Sequence, residues 1–337
     1  MVSKKVIMEN EIIDNTIEWL LEKDNPSVRY FTLLELLQKN PSDVEVIEAK
    51  KLINTKGIVP RILSQQTENT YWGDPQRFYN NKYKGTVWQL MILAELGAES
   101  ANNQIKNACE FILGNSQDPE SFAFSYRHTT KEKGGMQNDI IPCLTGNMLW
   151  SLIKHGMLED DRVQKGIDWI CKYQRADDGI ENSPKGWPYD RYEMCWGKHT
   201  CHMGVVKSLK ALAAIPVKKR NTTINEKINY LSEYLLKHHI YKKSHDLDKI
   251  SKPGWLKPGF PLMYQTDILE ILEILTDLKY HDPRMKDAID ILKGQQLING
   301  RWKMKNSYNG KMIENIEQKG KESKWITYKS LKILSKY

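Results

Sequence analysis

Apolar residues recur at three- and four-residue spacing in segment after segment of this chain, which is the pattern of helices that bury one face. Five such segments follow turns rich in Gly or aromatic residues, and they span residues 85–98, 143–158, 201–215, 263–278 and 325–337. A second apolar helix precedes each turn, and Pro26 after Asn25 indicates a helix start in a further N-terminal pair. Strand signals are almost absent. We therefore predict an all-α protein with about twelve helices in six pairs.

The helix pairs are copies of one repeat, in which an apolar helix is followed by a Gln, a turn with Gly or an aromatic residue, and another apolar helix. Copies lie near residues 65, 117, 174 and 295, and a copy near residue 238 has His in the place of Gln. The step of about 50 to 60 residues suits an antiparallel helix pair with a long turn. We expect one domain over 1–337, an (α/α)6 toroid of about six helical hairpins in which residues 1–60 complete a ring formed by the repeats of 61–337. An open solenoid of helix pairs is the alternative.

The repeat resembles the QW repeats of squalene–hopene cyclases and, more loosely, the repeats of protein prenyltransferase beta subunits. The Gln, the nearby aromatic residue and the Gly after an apolar helix carry this resemblance over roughly residues 60–337. It implies a terpenoid cyclase-like toroid whose central cavity binds an apolar or isoprenoid substrate. A toroid that binds a lipid or a peptide without catalysis is the alternative, because a fold does not determine a function.

The composition suits a cavity lined by aromatic rings, since 10 Trp and 16 Tyr stand against 6 Phe. A net charge of +8 is spread along the chain, and its basic and aromatic residues follow no nucleic-acid-binding module, so we expect no nucleic-acid partner. No stretch is long and apolar enough to cross a bilayer and no signal sequence is visible, which indicates a cytoplasmic protein with free cysteines. The lysine-rich last nineteen residues form either a solvated helix face or a peripheral membrane contact.

The segment CWGKHTCHMG, residues 195–204, contains two cysteines and two histidines. In the cyclases that this chain resembles, the catalytic acid lies in a D-x-D-D motif at the start of an inner helix, after a Gly-Trp-aromatic turn. Here the same frame contains His-Thr-Cys-His at 199–202. Because thiols and imidazoles are much weaker acids than a carboxylic acid, protonation of an alkene would fall to a carboxyl group. The catalytic candidates are Asp190, His199, Cys201, His202 and Asp267.

Zinc is the candidate cofactor. Zinc-dependent protein prenyltransferases resemble this chain in placing Asp-x-Cys at one inner-helix start and a His-Thr-Cys-like stretch at another, which implies a metal site where helix starts meet. Aligning CLTGNMLWSL with CHMGVVKSL by their shared Gly places Cys143 at the position of Cys201. The candidate ligands are Cys143, His199, Cys201 and His202. Those enzymes usually need a helical partner subunit, which we do not predict here, and each residue could instead cap or pack a helix start.

Several turns mix aromatic and cationic residues in a way that suits the mouth of a ligand site. Basic groups there would bind a diphosphate, and rings would shield an isoprenoid chain or its cation. The candidate substrate-binding residues are Trp72, Arg77, Tyr83, Trp88, Trp187, Tyr189, Arg191, Lys198 and Tyr264. By contrast, RADDG at 175–179 and SHDLDK at 244–249 have the composition of an exposed turn and a solvated loop rather than of a metal site.

Overall fold

Helices dominate the structure, as the sequence predicted. The computed structural model describes residues 4–129, 133–179 and 181–337, with side chains from residue 11 onward. In chain order, the α-helices are α1 (Lys4–Leu20), α2 (Pro26–Phe31), α3 (Val44–Thr55), α4 (Ile58–Leu63), α5 (Thr86–Glu95), α6 (Asn103–Asn115), α7 (Pro142–Lys154), α8 (Asp161–Tyr173), α9 (Glu193–Trp196), α10 (His202–Ala213), α11 (Thr222–Lys237), α12 (Ile268–Asp277), α13 (Lys286–Gly294) and α14 (Lys324–Lys336). A π-helix over Thr32–Leu36 continues α2, and short 3-10 turns cover Pro75–Arg77, Gln137–Asp139, Val217–Lys219, Pro253–Leu256 and Pro283–Met285. Two antiparallel strands, β1 (Lys242–Lys243) and β2 (Asp246–Ile250), form a hairpin.

Two kinds of helix alternate along most of the chain. Helices α5, α7, α10, α12 and α14 are buried on several sides, and in α5 every residue from Thr86 to Ala94 is buried. Helices α6, α8, α11 and α13 bury one stripe, such as Val163, Ile167 and Ile170 of α8. A helix with apolar residues all round has to be surrounded by others, whereas an amphipathic helix covers a core from one side. The buried helices therefore form the interior of the molecule.

The buried helices contact one another in chain order. Helix α5 packs against α7, α7 against α10, α10 against α12, and α12 against α14. Helix α14 then contacts α2 and the π-helix near the N-terminus. At that contact the ring of Phe31 lies 6.1 Å from Trp325 and 6.0 Å from Tyr328, measured between ring centroids. The last helix of the chain thus packs on α2 and on the π-helix that continues it.

The repeat is visible as recurring hydrogen bonds. The indole N–H of Trp72 donates to the Ile62 carbonyl, and that of Trp302 donates to the Leu292 carbonyl, both over 2.8 Å and both ten residues back along the chain. The backbone N–H of each Trp donates in turn to a threonine hydroxyl of the next buried helix, at 3.1 and 3.0 Å. These threonines are Thr86 and Thr327, and Phe124 N–H makes the same bond to Thr145 at 3.0 Å. The aromatic residue of the repeat therefore joins one helix pair to the next.

A small charged cavity of about 160 Å³ lies among the buried helices. Lys210 pairs there with Glu95 at 2.5 Å and with Glu270 at 3.1 Å, and Lys329 pairs with Glu273 at 2.6 Å. The sequence predicted an aromatic-lined central cavity and placed the lysines of the last helix either on a solvated face or against a membrane. Phe31, Trp150, Trp325 and Tyr328 line this cavity together with the charged groups. Lys332 of α14 is not on a solvated face but is buried within the ion-pair network, because carboxylates of neighbouring helices compensate its charge.

Within the described ranges, no helix combines the length and the apolar character that crossing a bilayer requires.

Candidate functional site

A short antiparallel pairing brings the turn after α8 against the segment before α10. Gly179 N–H donates to the Lys198 carbonyl at 3.1 Å, and Thr200 N–H donates to the Asp177 carbonyl at 3.0 Å. The Arg175 guanidinium fixes both sides, because it pairs with Asp177 at 2.7 Å and donates to the Trp196 carbonyl at 3.0 Å. Asp178 and His199 consequently occupy opposite positions of the pairing, and residues directly opposite each other in an antiparallel pair project to the same side.

The turn of the β1–β2 hairpin adds His245 to this pair. One donor atom each from Asp178, His199 and His245 lies within 4.8 Å of the other two. His245 Nε2 is 3.8 Å from Asp178 Oδ1, and the rings of the two histidines are 5.9 Å apart between centroids. The His245 side chain is 62% exposed and that of Asp178 17% exposed, so the group lies at the surface with the carboxylate at its base. Two imidazoles and a carboxylate are donors that zinc and other divalent transition metals accept.

Gly179 makes room for the His199 ring. A Cβ at this position would lie 2.3 Å from His199 Cε1 and 2.8 Å from its Nε2. The φ of Gly179 is +84°, a backbone conformation that residues other than glycine rarely adopt. The glycine of the RADDG turn is thus required both for the turn and for the position of His199.

Buried polar rings lie beneath the group. His238, next to the end of α11, has Nε2 3.3 Å from Asp178 Oδ1. Its ring lies 4.5 Å from Tyr234 and 5.6 Å from His202, measured between centroids, and His202 stacks on Trp255 at 4.2 Å. Burial, followed by electrostatic interactions with His238 and Lys252, holds the pKa of His202 well below its usual range, so this imidazole is neutral. Among the described residues, His202 Nε2 has no hydrogen-bond partner.

Three cysteines lie close together near the same helix starts. Cys201 precedes α10, and a hydrogen bond from Cys195, opposed by burial but assisted by the backbone N–H groups of Gly204 and Met203, lowers the pKa of its thiol to about 6. Cys143, in the first turn of α7, interacts electrostatically with Cys201, and burial raises the pKa of its thiol to about 12. The structure thus places Cys143 close enough to Cys201 for the two groups to interact electrostatically.

The predicted zinc ligands nevertheless fall into different places. In the described part of the chain, the group that could hold a metal contains His199 but not Cys143, Cys201 or His202. His199 projects from the exposed segment before α10, whereas Cys201 and His202 belong to the helix start itself. A possible metal site is therefore present, with His199 as the member that sequence reasoning found.

The two predicted catalytic carboxylates have different surroundings. Asp190 is 51% exposed and lies 3.8 Å from Arg191. Asp267 is buried at the start of α12, where its two oxygens accept the N–H groups of Glu270 at 2.9 Å and Gly259 at 3.0 Å. Burial raises the pKa of Asp267 to about 7, although these backbone donors oppose the change. Asp267 is thus a helix cap as well as a buried acid.

The predicted substrate-binding residues separate into three sets. Tyr83, Trp88 and Tyr264 form one aromatic cluster with Tyr308, whose ring centroid is 4.4 Å from that of Tyr83. Trp187 and Tyr189 pack near Tyr173 in another group of rings, with centroid distances of 5.3 and 6.3 Å. The remaining four are the fully buried Trp72 and the exposed Arg77, Arg191 and Lys198.

Sequence reasoning missed Asp178, His238 and His245. It interpreted the segments of Asp178 and His245 as a turn and a loop, and it placed His238 at the Gln position of a repeat copy. Nothing local to these segments shows that tertiary contacts bring them to His199. A compositional signal was available, since five of the eight histidines lie between residues 199 and 245. Because histidine is the commonest metal ligand, this concentration was a signal for a metal site.

Comparisons with known proteins add no assignment to this geometry: no protein-family model matches the chain, and no curated protein matches it significantly.

Proposed function

We propose that this protein is a zinc-dependent enzyme whose metal ion is bound by Asp178, His199 and His245. The observation that carries the proposal is the approach of these three donors to within 4.8 Å of one another. Three protein ligands are the usual number in catalytic zinc sites, which keep a further position for water or substrate. When bound, zinc supplies Lewis-acid polarisation of a substrate oxygen or of water.

The chain itself positions the ligands and leaves access to them. Arg175 and Thr200 hold the paired segments that carry Asp178 and His199. His199 and His245 are exposed, so a substrate reaches the group from solvent without an opening movement. Tyr234, whose pKa is raised by burial and by nearby Asp178 and Cys201, is a neutral hydroxyl that donates to the Thr200 carbonyl at 3.4 Å.

We further propose that the helix pairs close into an (α/α)6 toroid. The order of contacts among the buried helices supports it, since α14 returns to α2 and the π-helix. The residues that surround the charged cavity also support it, because they come from the π-helix, α2, α5, α7, α10, α12 and α14. In such a ring the candidate site lies at the end where the buried helices begin. All five cysteines are free, which favours a reducing compartment such as the cytoplasm.

A terpene cyclase-like activity on an isoprenoid or similar apolar substrate is the second candidate. A specific observation favours it, namely the buried carboxyl group of Asp267, which interacts electrostatically with Tyr308 of the aromatic cluster. A protonated acid beside aromatic rings is what protonation of an alkene and shielding of a cation require. A prenyltransferase-like activity would instead use the low-pKa thiol of Cys201 near zinc.

Metal analysis and product analysis of the same preparations test the proposal. We expect one zinc ion per chain after dialysis against zinc, and its loss in His199→Ala and His245→Ala. His281→Ala is the matched control, because His281 is also exposed but lies outside the group. Zinc-dependent turnover of a chromogenic ester or phosphoester supports the first candidate. Zinc-independent conversion of squalene or farnesyl diphosphate that is lost in Asp267→Asn supports the second, and a metal-free wild-type protein contradicts the first.

A further inference from the structure

His238 lies between two groups that can only accept hydrogen bonds. Its Nδ1 is 3.0 Å from the Lys242 carbonyl oxygen, and its Nε2 is 3.3 Å from Asp178 Oδ1. A carbonyl has no hydrogen to donate, so the contact at Nδ1 requires a proton on Nδ1. In the neutral ring, Nε2 then carries a lone pair.

That nitrogen lies 3.3 Å from a carboxylate oxygen, in a geometry that forms no hydrogen bond. The His238 side chain is 10% exposed, and its Nε2 makes no hydrogen bond within the described residues. A buried nitrogen lone pair next to a carboxylate oxygen is unfavourable unless a proton or a metal ion lies between the two atoms. The same carboxylate belongs to the group formed with His199 and His245.

We infer that His238 is a further ligand of the metal ion, through Nε2, so that three imidazoles and one carboxylate hold it. This inference rests on the proposed zinc site. The hydrogen bond from Nδ1 to a backbone carbonyl supports it, because histidines that bind metals usually donate their other N–H in this way, which fixes the ring and its tautomer. Zinc can expand from four to five ligands during catalysis, so four protein donors still leave room for water.

The four donor residues differ in their burial and in how firmly they are held. His238 Nε2 lies outside the set of atoms within 4.8 Å of one another, so binding has to draw the donors together. His238 is buried and fixed by Lys242, whereas His245 is exposed at a hairpin turn. His238 and Asp178 thus form the buried base of the site, and the exposed side chains of His199 and His245 have to approach it.

The variant His238→Asn tests the roles of the two ring nitrogens separately. The amide nitrogen of Asn takes the place of Nδ1 and keeps the donor to Lys242, but nothing replaces Nε2. We expect the zinc affinity of this variant to fall at least about tenfold while the metal-free protein keeps its Tm. Zinc K-edge X-ray absorption should count three imidazole ligands in the wild type and two in His238→Asn.

The alternative is a protonated His238 that pairs with Asp178 and competes with the metal. In that case His238→Asn would bind zinc as tightly as the wild type or more tightly, and the wild type would show two imidazoles, either of which overturns the inference. The zinc site itself is tested separately from the role of His238. Zinc binding that is lost in His199→Ala but retained in His238→Asn overturns only the role of His238. A wild-type protein that binds no zinc overturns both. Should His238→Asn fail to fold, the imidazole count of the wild type decides.

Discussion

Asp178 and His199 lie opposite each other across a pairing of two irregular segments, neither of which belongs to a regular sheet. Backbone hydrogen bonds and Arg175 hold the two segments together, so the two side chains are positioned before any metal binds. A ligand pair fixed in this way reduces the conformational entropy lost on binding an ion. The candidate site is thus built largely by the turn chemistry of residues 175–179.

Gly179→Ala should damage the site without touching a ligand. The new Cβ would lie 2.3 Å from His199 Cε1, so the ring has to move away from Asp178. We expect at least about a tenfold loss of zinc affinity, measured by competition with a chromogenic chelator. Gly186→Ala is the control, because its φ of +91° imposes a similar backbone cost but nothing in the described structure lies within 4 Å of the new Cβ. Both variants should lose about 1–2 kcal/mol of unfolding free energy. Equal losses of zinc affinity in the two would contradict the prediction.

Trp72→Phe and Trp302→Phe should cost similar amounts of stability. Each removes a buried indole N–H that donates over 2.8 Å to a carbonyl, and each leaves that carbonyl without its donor. We expect each variant to lose about 1–3 kcal/mol of unfolding free energy in urea titrations. Trp187→Phe, at a half-buried indole with a 3.2 Å bond, should lose less. A loss confined to one of the two buried tryptophans would show that the repeats are not equivalent.

The helices were predictable because their signals are local. The structure has the helix start at Pro26 that the sequence predicted, with the Asn25 side chain accepting the Val28 N–H at 3.3 Å. Residues 85–98 were expected to be helical, and α5 spans Thr86–Glu95. The start of α12 was missed by several residues, since Asp267 caps the helix and the apolar residues before it belong to the preceding turn.

The candidate site and the charged interior were less predictable because both depend on contacts between distant segments. His199 stood out in a cluster of histidines and cysteines, but its partners Asp178 and His245 come from segments whose own composition is that of ordinary loops. Similarly, Lys332 and Glu273 have the spacing of solvated helix faces, and only the packing of α12 against α14 turns those faces towards each other.

Gly146→Ala should destabilise the contact between α7 and α10. A Cβ at Gly146 would lie 2.4 Å from the backbone carbon of Lys207, so the two helices have to separate. Overpacking of this kind costs about 1–3 kcal/mol, which thermal or urea unfolding would measure. Gly114→Ala in α6 is the matched control, since no atom of the described structure lies within 4 Å of its new Cβ. Because Ala is the better helix former, we expect that control to gain about 0.5–1 kcal/mol. A neutral or stabilising Gly146→Ala would mean that the helices are not so closely packed.

Low pH should lower the free energy of unfolding through protonation of Glu95, which lines the charged cavity. Burial alone would raise the pKa of this carboxyl group, but Lys210 and Lys329 prevail and lower it to about 2. A carboxyl group whose pKa is lower in the folded protein stabilises it above the pKa of the unfolded chain, and that contribution disappears as the pH falls through the folded value. For Glu95 the window runs from pH about 4.5 down to about 2, and the loss is about 3 kcal/mol.

Glu95→Gln isolates this contribution because glutamine does not titrate. The wild type should exceed the variant in unfolding free energy at pH 6, and the difference should shrink below pH about 4.5 and vanish near pH 2. Urea titrations at several pH values measure it. Glu159→Gln, which removes an exposed pair with Lys219, should change stability by less than about 1 kcal/mol at every pH. A difference between wild type and Glu95→Gln that is the same at pH 6 and pH 2.5 would contradict the prediction, because an uncharged contact of Glu95 would then account for its effect.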